Sequence, residues 1–384
     1  MIHRPTYTRQ INDSLKRAPI TALLGPRQCG KTTLARSVGD NQQSHYFDLE
    51  SVPDQQRLRN PELMLGSLSG LIILDEIQRM PELFSVLRVM VDKPDCASRY
   101  LILGSASPDI IKNASETMAG RVEFIELSGF DLLETGEDSW RDLWLRGGFP
   151  RSFLARTDAD SQAWRAGFIR TFLERDIPSL GITIPATAMR RFWTMLAHYH
   201  GQIWNGSEIG RAMGISDKTA RSYLDLLAGT FMVRQLQPWH ENLKKRQVKS
   251  PKIFLRDTGI LHALMDIPDF HALAGNPKIG ASWEGFVMEN ILQVIRPFQA
   301  YFWATHSGAE IDLLLFQQGR RIGIEIKYSD APAITRSMRV ALADLTLDHL
   351  LIVYPGRHRY PMDEAITAVP LNEIGSLSDL LGGR

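Results

Sequence analysis

The sequence predicts an α/β protein in which a parallel sheet comes first, a helical and winged-helix segment follows, and a second α/β domain ends the chain. In the first third, apolar runs of strand length alternate with helical stretches, near residues 20–24, 45–49, 71–75, 100–104 and 122–127. Strands that alternate with helices form parallel sheets, which bind ligands at the carboxyl ends of their strands. A second series of helix, hairpin, helix and strand begins near residue 281. We therefore predict three domains, at residues 1–145, 146–272 and 273–384.

The composition is that of a globular chain without a dominant charge. Of the 384 residues 44% are hydrophobic, and 44 Lys and Arg side chains nearly balance 43 Asp and Glu side chains. Any nucleic-acid surface must therefore come from local clusters of basic residues. The two cysteines, Cys29 and Cys96, cannot form a disulfide framework or a zinc site. No signal-peptide core and no stretch of about 18 uncharged apolar residues is present, so we expect a soluble, cytoplasmic protein.

A glycine-bounded loop follows the first predicted strand and precedes a helix-forming stretch. It fits the pattern G-x-x-x-x-G-K-[ST], in which backbone N–H groups hold phosphate, the lysine reaches the β- and γ-phosphates, and the hydroxyl binds Mg²⁺. We expect Lys31 and Thr32 to take the last two roles. The predicted ATP-binding residues of this loop are Gly25, Pro26, Arg27, Gln28, Cys29, Gly30, Lys31, Thr32 and Thr33.

Polar side chains end the next two central strands. Asp75 and Glu76 close the apolar run GLIILDE in the Walker B pattern. Asp75 would bind Mg²⁺ through water, and Glu76 would polarise the attacking water. The strand YLILGSAS ends in Ser105 and Ser107, and either hydroxyl could donate a hydrogen bond to the γ-phosphate.

Taken together, the P-loop, LDEIQ, GSAS, AGR and GGFP resemble a large prokaryotic family. Its members are AAA-superfamily ATPases, near the STAND and archaeal-ATPase branch, with a C-terminal domain of the PD-(D/E)xK restriction-endonuclease type. The resemblance covers nearly the whole chain and implies an AAA-type parallel sheet. It also implies that Arg121 is an arginine finger and that Gly147, Gly148 and Pro150 contact the adenine side of the nucleotide. A surface arginine and a turn without a ligand are the alternatives.

The middle of the chain contains a predicted helix-turn-helix. One short helix is capped by Ser207, a turn lies at Gly214, and a second helix runs from Ser216 to about Leu227, with two strands of a wing after it. The basic residues of this region are Lys218, Arg221, Lys244, Lys245 and Arg246. The module could contact DNA phosphate, or it could serve as a nucleotide lid.

The C-terminal third places acidic residues in the order of a PD-(D/E)xK core. Strand alternation puts Glu325 and Lys327 on one face of GIEIKYS, and Asp312 lies on the preceding strand. We expect Asp312 and Glu325 to bind Mg²⁺ and Lys327 to orient the attacking water or stabilise developing charge. Glu284 is the preferred third acidic ligand and Glu289 the reserve. The alternative is a strand-edge Glu–Lys ion pair without a metal.

Three functions follow as hypotheses, all with ATP and Mg²⁺ as cofactors, and the third is a plain ATPase whose C-terminal domain recognises protein. In the first, hydrolysis by Lys31 and Glu76 gates a metal-dependent deoxyribonuclease. In the second, the chain is a nucleotide-switched DNA- or protein-binding regulator whose nuclease-like domain is inactive. DNA is the expected partner, a membrane is not, and a homo-oligomer stays open.

Overall fold

The computed structural model describes residues 2–94, 97–105, 118–179, 183–241, 246–297 and 299–377. These residues form two compact units: unit 1 comprises residues 1–129 and 229–231, and unit 2 comprises residues 130–228 and 232–384. The three-domain division stays a prediction. The expectations for Cys96, Ser107, Lys244 and Lys245 lie outside the described residues.

Unit 1 is built on a five-stranded parallel sheet in the order β2-β3-β4-β1-β5. Its strands are β1 (Ile20–Gly25), β2 (Ser44–Asp48), β3 (Leu71–Asp75), β4 (Arg99–Ser105) and β5 (Val122–Glu126). Its helices are α1 (Pro5–Arg17), α2 (Lys31–Gly39), α3 (Val52–Arg57), α4 (Pro61–Gly66) and α5 (Leu83–Val91), with a 3-10 turn at Ile77–Arg79. Every residue of β1 and β3 is buried, as expected for central parallel strands that are covered on both faces. The predicted parallel α/β sheet is confirmed.

The strand register decides which predicted residues share an edge of this sheet. Gly25 of β1 lies beside Ser105 of β4, and Asp75 ends β3 one strand further along. Because these strands are parallel, the three residues lie at the same carboxyl edge. Arg121 precedes β5, whose first residue Val122 pairs with Ile20, so it lies at the opposite edge.

Unit 2 begins with helices and contains the predicted helix-turn-helix. Its first helices are α6 (Leu132–Thr135), α7 (Trp140–Arg146), α8 (Pro150–Phe153), α9 (Asp158–Thr171), α10 (Ile177–Ser179), α11 (Ala186–His198), α12 (Gly206–Met213) and α13 (Asp217–Gly229), with a 3-10 turn at Glu137–Ser139 and a π-helical turn at Phe172–Asp176. Helix α12 is capped by the Asn205 side chain rather than by Ser207, because Asn205 accepts the Glu208 N–H. The helix ends at left-handed Gly214, and α13 follows after a short turn.

A nine-stranded sheet joins the wing to the C-terminal part of unit 2. Its order is β13-β14-β12-β11-β10-β9-β7-β8-β6. The strands are β6 (Gln202–Ile203), β7 (Val233–Pro238), β8 (Lys252–Leu255), β9 (Ala300–Ala304), β10 (Glu310–Gln317), β11 (Arg320–Ile326), β12 (His349–Tyr354), β13 (Tyr360–Asp363) and β14 (Ile366–Pro370). The remaining helices are α14 (Thr258–Leu264), α15 (Phe270–Ala274), α16 (Ile279–Ile295) and α17 (Arg336–Asp344), with a 3-10 segment at Leu371–Ser376. Strand β7 pairs with β8 on one side and with β9 on the other, so the wing and the C-terminal strands are continuous.

The C-terminal part of unit 2 combines a hairpin with a strand that is added in parallel. Strands β10 and β11 pair as an antiparallel hairpin, and β12 then adds to β11 in parallel. A parallel addition needs a crossover, which α17 supplies. Met338 and Ala341 of α17 are buried against the sheet. Within the part of the chain that the structure describes, no helix combines the length and apolar character needed to cross a membrane.

Candidate nucleotide site and acidic cluster

The P-loop of unit 1 has the backbone shape that binds an anion. Gln28 and Gly30 both have positive φ angles, of 64° and 101°, and α2 begins directly afterwards at Lys31. Successive N–H groups in such a turn point into one concavity, and the helix N-terminus adds its partial positive charge. Gly25 is required for close packing, because a Cβ atom there would lie 2.0 Å from the carbonyl oxygen of Leu127.

The Lys31 side chain is folded over its own loop. It is buried, and its Nζ donates to the carbonyl oxygens of Gly25 and Pro26 at 2.9 Å each. These neutral carbonyl acceptors hold the ammonium group beside the phosphate-binding concavity. Phosphate oxygens are stronger acceptors for an ammonium group because they are charged, so the lysine can exchange one set of partners for the other.

Thr32 and Asp75 meet, as the P-loop and Walker B patterns predict. The Thr32 Oγ1 donates to Asp75 Oδ2 at 2.7 Å, and the Tyr46 hydroxyl donates to the same oxygen at 2.7 Å. Asp75 Oδ1 is buried and has no hydrogen-bond partner among the described residues. Burial and the hydrogen bond to Asp75 raise the pKa of Tyr46, so it remains a donor. Asp75 Oδ1 and the Thr32 hydroxyl are hard oxygen ligands of the kind that binds Mg²⁺.

Glu76 and Ser105 also meet at this edge. The Ser105 hydroxyl donates to Glu76 Oε2 at 3.0 Å, and Gln78 donates to both Glu76 and the Ser105 oxygen. Glu76 has a φ of 58°, an unusual backbone angle for a residue with a side chain. The Arg27 guanidinium lies 4.0 Å from the same Glu76 oxygen. The predicted base and the predicted γ-phosphate donor are thus hydrogen-bonded to each other.

Arg121 is not brought to the P-loop of its own chain. It forms a bidentate pair with Asp92, with Nε–Oδ1 and Nη2–Oδ2 distances of 2.6 and 2.8 Å. Both side chains are exposed, and they lie at the sheet edge opposite the carboxyl ends of the strands. A role as an arginine finger therefore requires the nucleotide site of a second copy and stays a prediction.

The GGFP segment lies in unit 2, where a neighbouring carboxylate explains its glycines. Asp257 Oδ2 accepts the Gly148 N–H at 2.8 Å. Gly147 has a φ of 76°, and a Cβ atom there would lie 2.2 Å from Asp257 Oδ1. Pro150 begins α8, where its missing N–H costs nothing. A contact between Pro150 and adenine stays a prediction.

In unit 2 the structure brings together the residues predicted for the nuclease-like site. Asp312 lies on β10, Glu325 lies near the end of β11, and Glu284 lies on α16. The N–H of Ile326 donates to Asp312 Oδ2 at 2.9 Å, and Lys327 Nζ lies 2.6 Å from Glu325 Oε1. With Glu310 these carboxylates form what we call the acidic cluster: Glu284, Glu310, Asp312 and Glu325.

Burial and mutual repulsion raise the pKa values of three carboxyl groups in the acidic cluster. Burial, and after it the charge of Asp312, raises the pKa of both Glu284 and Glu325. Burial also raises the pKa of Asp312, although Lys252 opposes that rise. Glu325 Oε2 is buried without a hydrogen-bond partner among the described residues. Glu284, Asp312 and Glu325 therefore hold a proton more readily than in water.

Lys252 on β8 enters the acidic cluster and has no counterpart in the sequence-based prediction. Its Nζ lies 3.1 Å from Glu284 Oε1 and 3.7 Å from Asp312 Oδ1, and it also contacts the Glu310 carboxylate. Burial alone would lower the pKa of Lys252, but Glu284, Asp312 and Glu310 outweigh it and raise that pKa. The three carboxylates therefore stabilise the charged form of Lys252.

The prediction of Glu289 as a reserve metal ligand is wrong, because its carboxylate is engaged elsewhere. Glu289 is 3% exposed and pairs with Arg234 and Arg256, with Nη2–Oε2 and Nε–Oε2 distances of 2.9 and 3.4 Å. Burial alone would raise the pKa of Glu289, but the two arginines outweigh it and lower that pKa. Glu289 is the counter-ion of two arginines.

A magnesium ion does not fit Glu284, Asp312 and Glu325 as they are arranged. Throughout the described ranges, no three His, Cys, Asp or Glu side chains are grouped so as to hold a metal ion. The Lys252 ammonium group lies within 4 Å of both Glu284 and Asp312, at 3.1 and 3.7 Å. The residue types that were predicted are present, but the Lys252 ammonium group lies among them.

Relatives in two mycobacteria match almost the whole chain. They are the uncharacterized protein Rv2008c of Mycobacterium tuberculosis and the uncharacterized protein Mb2031c of Mycobacterium bovis. Each is 52% identical over 384 residues, which cover 99% of this chain and 87% of the relative. The chain belongs to the family of these mycobacterial proteins. Residues 17–136 match the family described as "AAA domain", residues 137–271 match "Domain of unknown function (DUF8612)", and residues 279–374 match "Domain of unknown function (DUF4143)".

One solved structure shares its fold with a large part of this chain. The Walker-type ATPase PABY2304 of Pyrococcus abyssi aligns with a TM-score of 0.51 and 14% identity, over 69% of this chain and 96% of that one. The AAA-domain match over residues 17–136 and this fold confirm the predicted AAA-type P-loop fold in this part of the chain. The resemblance of the C-terminal part to restriction endonucleases stays a prediction.

Sequence reasoning missed four polar residues at these two sites. Tyr46 and Gln78 lie at the nucleotide edge, and Lys252 and Glu310 lie in the acidic cluster. Gln78 follows Glu76 by two positions and was within reach of motif analysis. Tyr46 and Lys252 come from other strands, and only the sheet register shows which residues they contact.

Proposed function

We propose that this AAA-type P-loop ATPase hydrolyses ATP with magnesium at the carboxyl edge of β1, β3 and β4. The observation that carries the proposal is the contact between Thr32 and Asp75 at 2.7 Å, beside a buried Asp75 oxygen with no described donor. Two motifs that lie 43 residues apart thus form one hard-oxygen donor set. Such a set suits the Mg²⁺ that accompanies a nucleoside triphosphate.

Each residue at this edge then has a separate task. Mg²⁺, held by Thr32 and Asp75, supplies positive charge next to the phosphates. Lys31 leaves the Gly25 and Pro26 carbonyl oxygens and donates to phosphate oxygens instead. Glu76 orients the water that attacks, after it releases the Ser105 hydroxyl. The freed Ser105 hydroxyl can then donate to the γ-phosphate.

ATP binding and turnover by three variants test these assignments. Lys31→Ala should lose nucleotide binding, because the loop loses its only side-chain ammonium group. Glu76→Gln should bind ATP and hydrolyse it at least about 10²-fold more slowly. Glu62→Gln, at an exposed position of α4, is the control and should behave as wild type. Normal turnover by Glu76→Gln would refute the assigned base, and tight ATP binding by Lys31→Ala would refute the phosphate contact.

We infer DNA contact through the helix-turn-helix as a second candidate function. Lys218 and Arg221 are exposed on α13, the second helix of that motif. Asp217 and Asp225 lie on the same helix, and Arg221 pairs with Asp225 at 3.1 Å. The contact would therefore be modest and directed at phosphate rather than at base edges.

Fluorescence anisotropy with duplex DNA, titrated with salt, tests this candidate. Wild type should bind, and Lys218→Ala/Arg221→Ala should lower the dependence of log K on log salt by about two. Arg170→Ala, on the exposed face of α9, is the matched control. Equal salt dependence in all three proteins would refute contact through α13.

Cleavage of DNA by Asp312, Glu325 and Lys327 is less favoured than binding without cleavage. The donor set does not fit a metal while Lys252 lies within it. We therefore expect plasmid and linear DNA to remain intact with ATP and Mg²⁺ or Mn²⁺. Cutting that Asp312→Ala abolishes would restore the nuclease hypothesis.

A further inference from the structure

Lys252 reaches the acidic cluster from an element that does not contribute a carboxylate. The carboxylates come from α16, β10 and β11, whereas Lys252 begins β8 of the wing. Strand β8 lies between β7 and β6, and Lys252 pairs with Leu236 and Ile203. The backbone of Lys252 is therefore fixed on both sides. The direction of its side chain is set by the sheet rather than by a loop.

The Lys252 ammonium group is held as a buried ion. The Lys252 side chain is 4% exposed, against 18% for Glu284 and 11% for Asp312. Its Nζ also lies 5.6 Å from the centre of the Phe302 ring, which closes another side. A buried ammonium group is tolerated only when oppositely charged partners surround it. The three contacting carboxylates provide that compensation.

The cluster contains more carboxyl groups than ammonium groups. Four carboxylates face two ammonium groups: Glu284, Glu310, Asp312 and Glu325 against Lys252 and Lys327. Glu325 is 6% exposed, and its Oε2 has no hydrogen-bond partner among the described residues. Carboxylate oxygens are the ligands that hard divalent cations prefer. The cluster therefore has the donors of a hard-cation site.

The distances show that Lys252 fills the position that such a cation would need. Its Nζ lies 3.1 Å from Glu284 and 3.7 Å from Asp312. Magnesium–oxygen bonds measure about 2.0–2.1 Å and calcium–oxygen bonds about 2.3–2.6 Å. At the position of this Nζ both oxygens lie farther away than the bonds of either ion allow, so they must move closer for a metal to bind there. Bound metal and seated lysine exclude each other.

We propose that Lys252 is a built-in cation that closes a divalent-metal site formed by Glu284, Asp312 and Glu325. With the lysine seated, the cluster holds β8 against β10 and α16 and takes up no metal. When the charge at position 252 is removed, the same carboxylates draw together around one hard divalent cation. Unit 2 thus carries the carboxylates of a metal site whose centre is occupied by a cation of the same chain.

Binding of Mn²⁺ to the full chain without nucleotide tests this proposal. The free Mn²⁺ signal in electron paramagnetic resonance is followed for wild type, Lys252→Met and Lys252→Met/Asp312→Asn. Methionine keeps the length of the lysine stem without its charge. Lys252→Met should bind one Mn²⁺ at least about tenfold more tightly than wild type, a gain of about 1.4 kcal/mol. Asp312→Asn in that background should remove the gain, which separates this site from any metal at the P-loop.

Lys249→Met is the matched control, because Lys249 is an exposed lysine three positions away in the same unit. It should bind Mn²⁺ as wild type does. Lys252→Met is expected to melt at a lower temperature than wild type, and Mn²⁺ should restore part of the loss. The proposal is overturned by unchanged Mn²⁺ affinity in Lys252→Met. It is equally overturned by a Mn²⁺ site in wild type that Asp312→Asn alone removes, and this comparison needs no substitution at position 252.

Discussion

Replacing Glu289 by Gln should destabilise unit 2 far more than a typical charge removal. Glu289 is 3% exposed and holds the guanidinium groups of Arg234 and Arg256. Glutamine keeps the size and one acceptor oxygen but removes the charge. Two arginines, with side chains 25% and 10% exposed, then lose their counter-ion.

The magnitude follows from the burial of the partners. Breaking a buried ion pair by removing one member costs about 3–5 kcal/mol, because an uncompensated charge stays behind. Arg234 is a quarter exposed, so water solvates part of its charge. We therefore expect the lower end of that range, a loss of about 3 kcal/mol. The matched control is Glu174→Gln, whose i,i+4 pair with Arg170 is exposed and should contribute no more than about 0.5 kcal/mol.

Urea unfolding followed by tryptophan fluorescence measures this loss in unit 2 alone. All eight tryptophans belong to unit 2: Trp140, Trp144, Trp164, Trp193, Trp204, Trp239, Trp283 and Trp303. The change in midpoint at constant slope gives the difference in unfolding free energy. A loss below about 1 kcal/mol for Glu289→Gln, or one equal to that of the control, would refute the reasoning, since the trio would then be solvated or readily rearranged.

Three further predictions concern a close backbone contact, a buried imidazole and an exposed arginine. Gly259→Ala should cost about 3 kcal/mol, because the new Cβ atom would lie 2.0 Å from a backbone carbonyl oxygen, whereas Gly280→Ala, with open space, should be harmless in the same urea assay. Burial lowers the pKa of His262 to about 4. The contribution of His262 to the free energy of unfolding is therefore fully present above the unfolded pKa of about 6.5, and it is lost as the pH falls towards 4. Between pH 7.5 and 5.5 wild type should lose about 1.3 kcal/mol more than His262→Gln, and the exposed His271→Gln should follow wild type. If Arg121 acts on a second copy, ATP turnover per chain should rise with protein concentration, and Arg121→Ala should abolish that rise; identical concentration dependence would contradict the assignment.

The nucleotide edge could be predicted because its parts are local in sequence. A P-loop is one contiguous turn, and its function depends on backbone shape that Gly25 and Gly30 largely determine. Asp75 was found for the same reason, since it ends an apolar strand. Tyr46 could not be found in this way. Its hydroxyl reaches Asp75 only because β2 lies beside β3, and that adjacency belongs to the strand order rather than to any motif.

For the acidic cluster, the sequence pattern predicted the carboxylates but not the positive charges that balance them. Alternation along β11 and the hairpin with β10 predicted that Asp312 and Glu325 would meet, and Asp312 accepts a hydrogen bond from the N–H of Ile326, the residue after Glu325. The same pattern is silent about which positive charge balances them. Glu284 and Glu289 lie five residues apart on α16, yet one faces Lys252 and the other faces two arginines.

The identity of the balancing charge decides what the cluster does, and it is a long-range property. Lys252 precedes Asp312 by 60 residues and contacts it because β7 pairs with both β8 and β9. A carboxylate set with a free centre binds a divalent ion, whereas the same set around a seated ammonium group is an ion-pair anchor. The difference between these outcomes is one charge on β8, a more distant strand of the same sheet. Residue types alone therefore predict where the cluster forms, and the strand order predicts whether a metal can enter it.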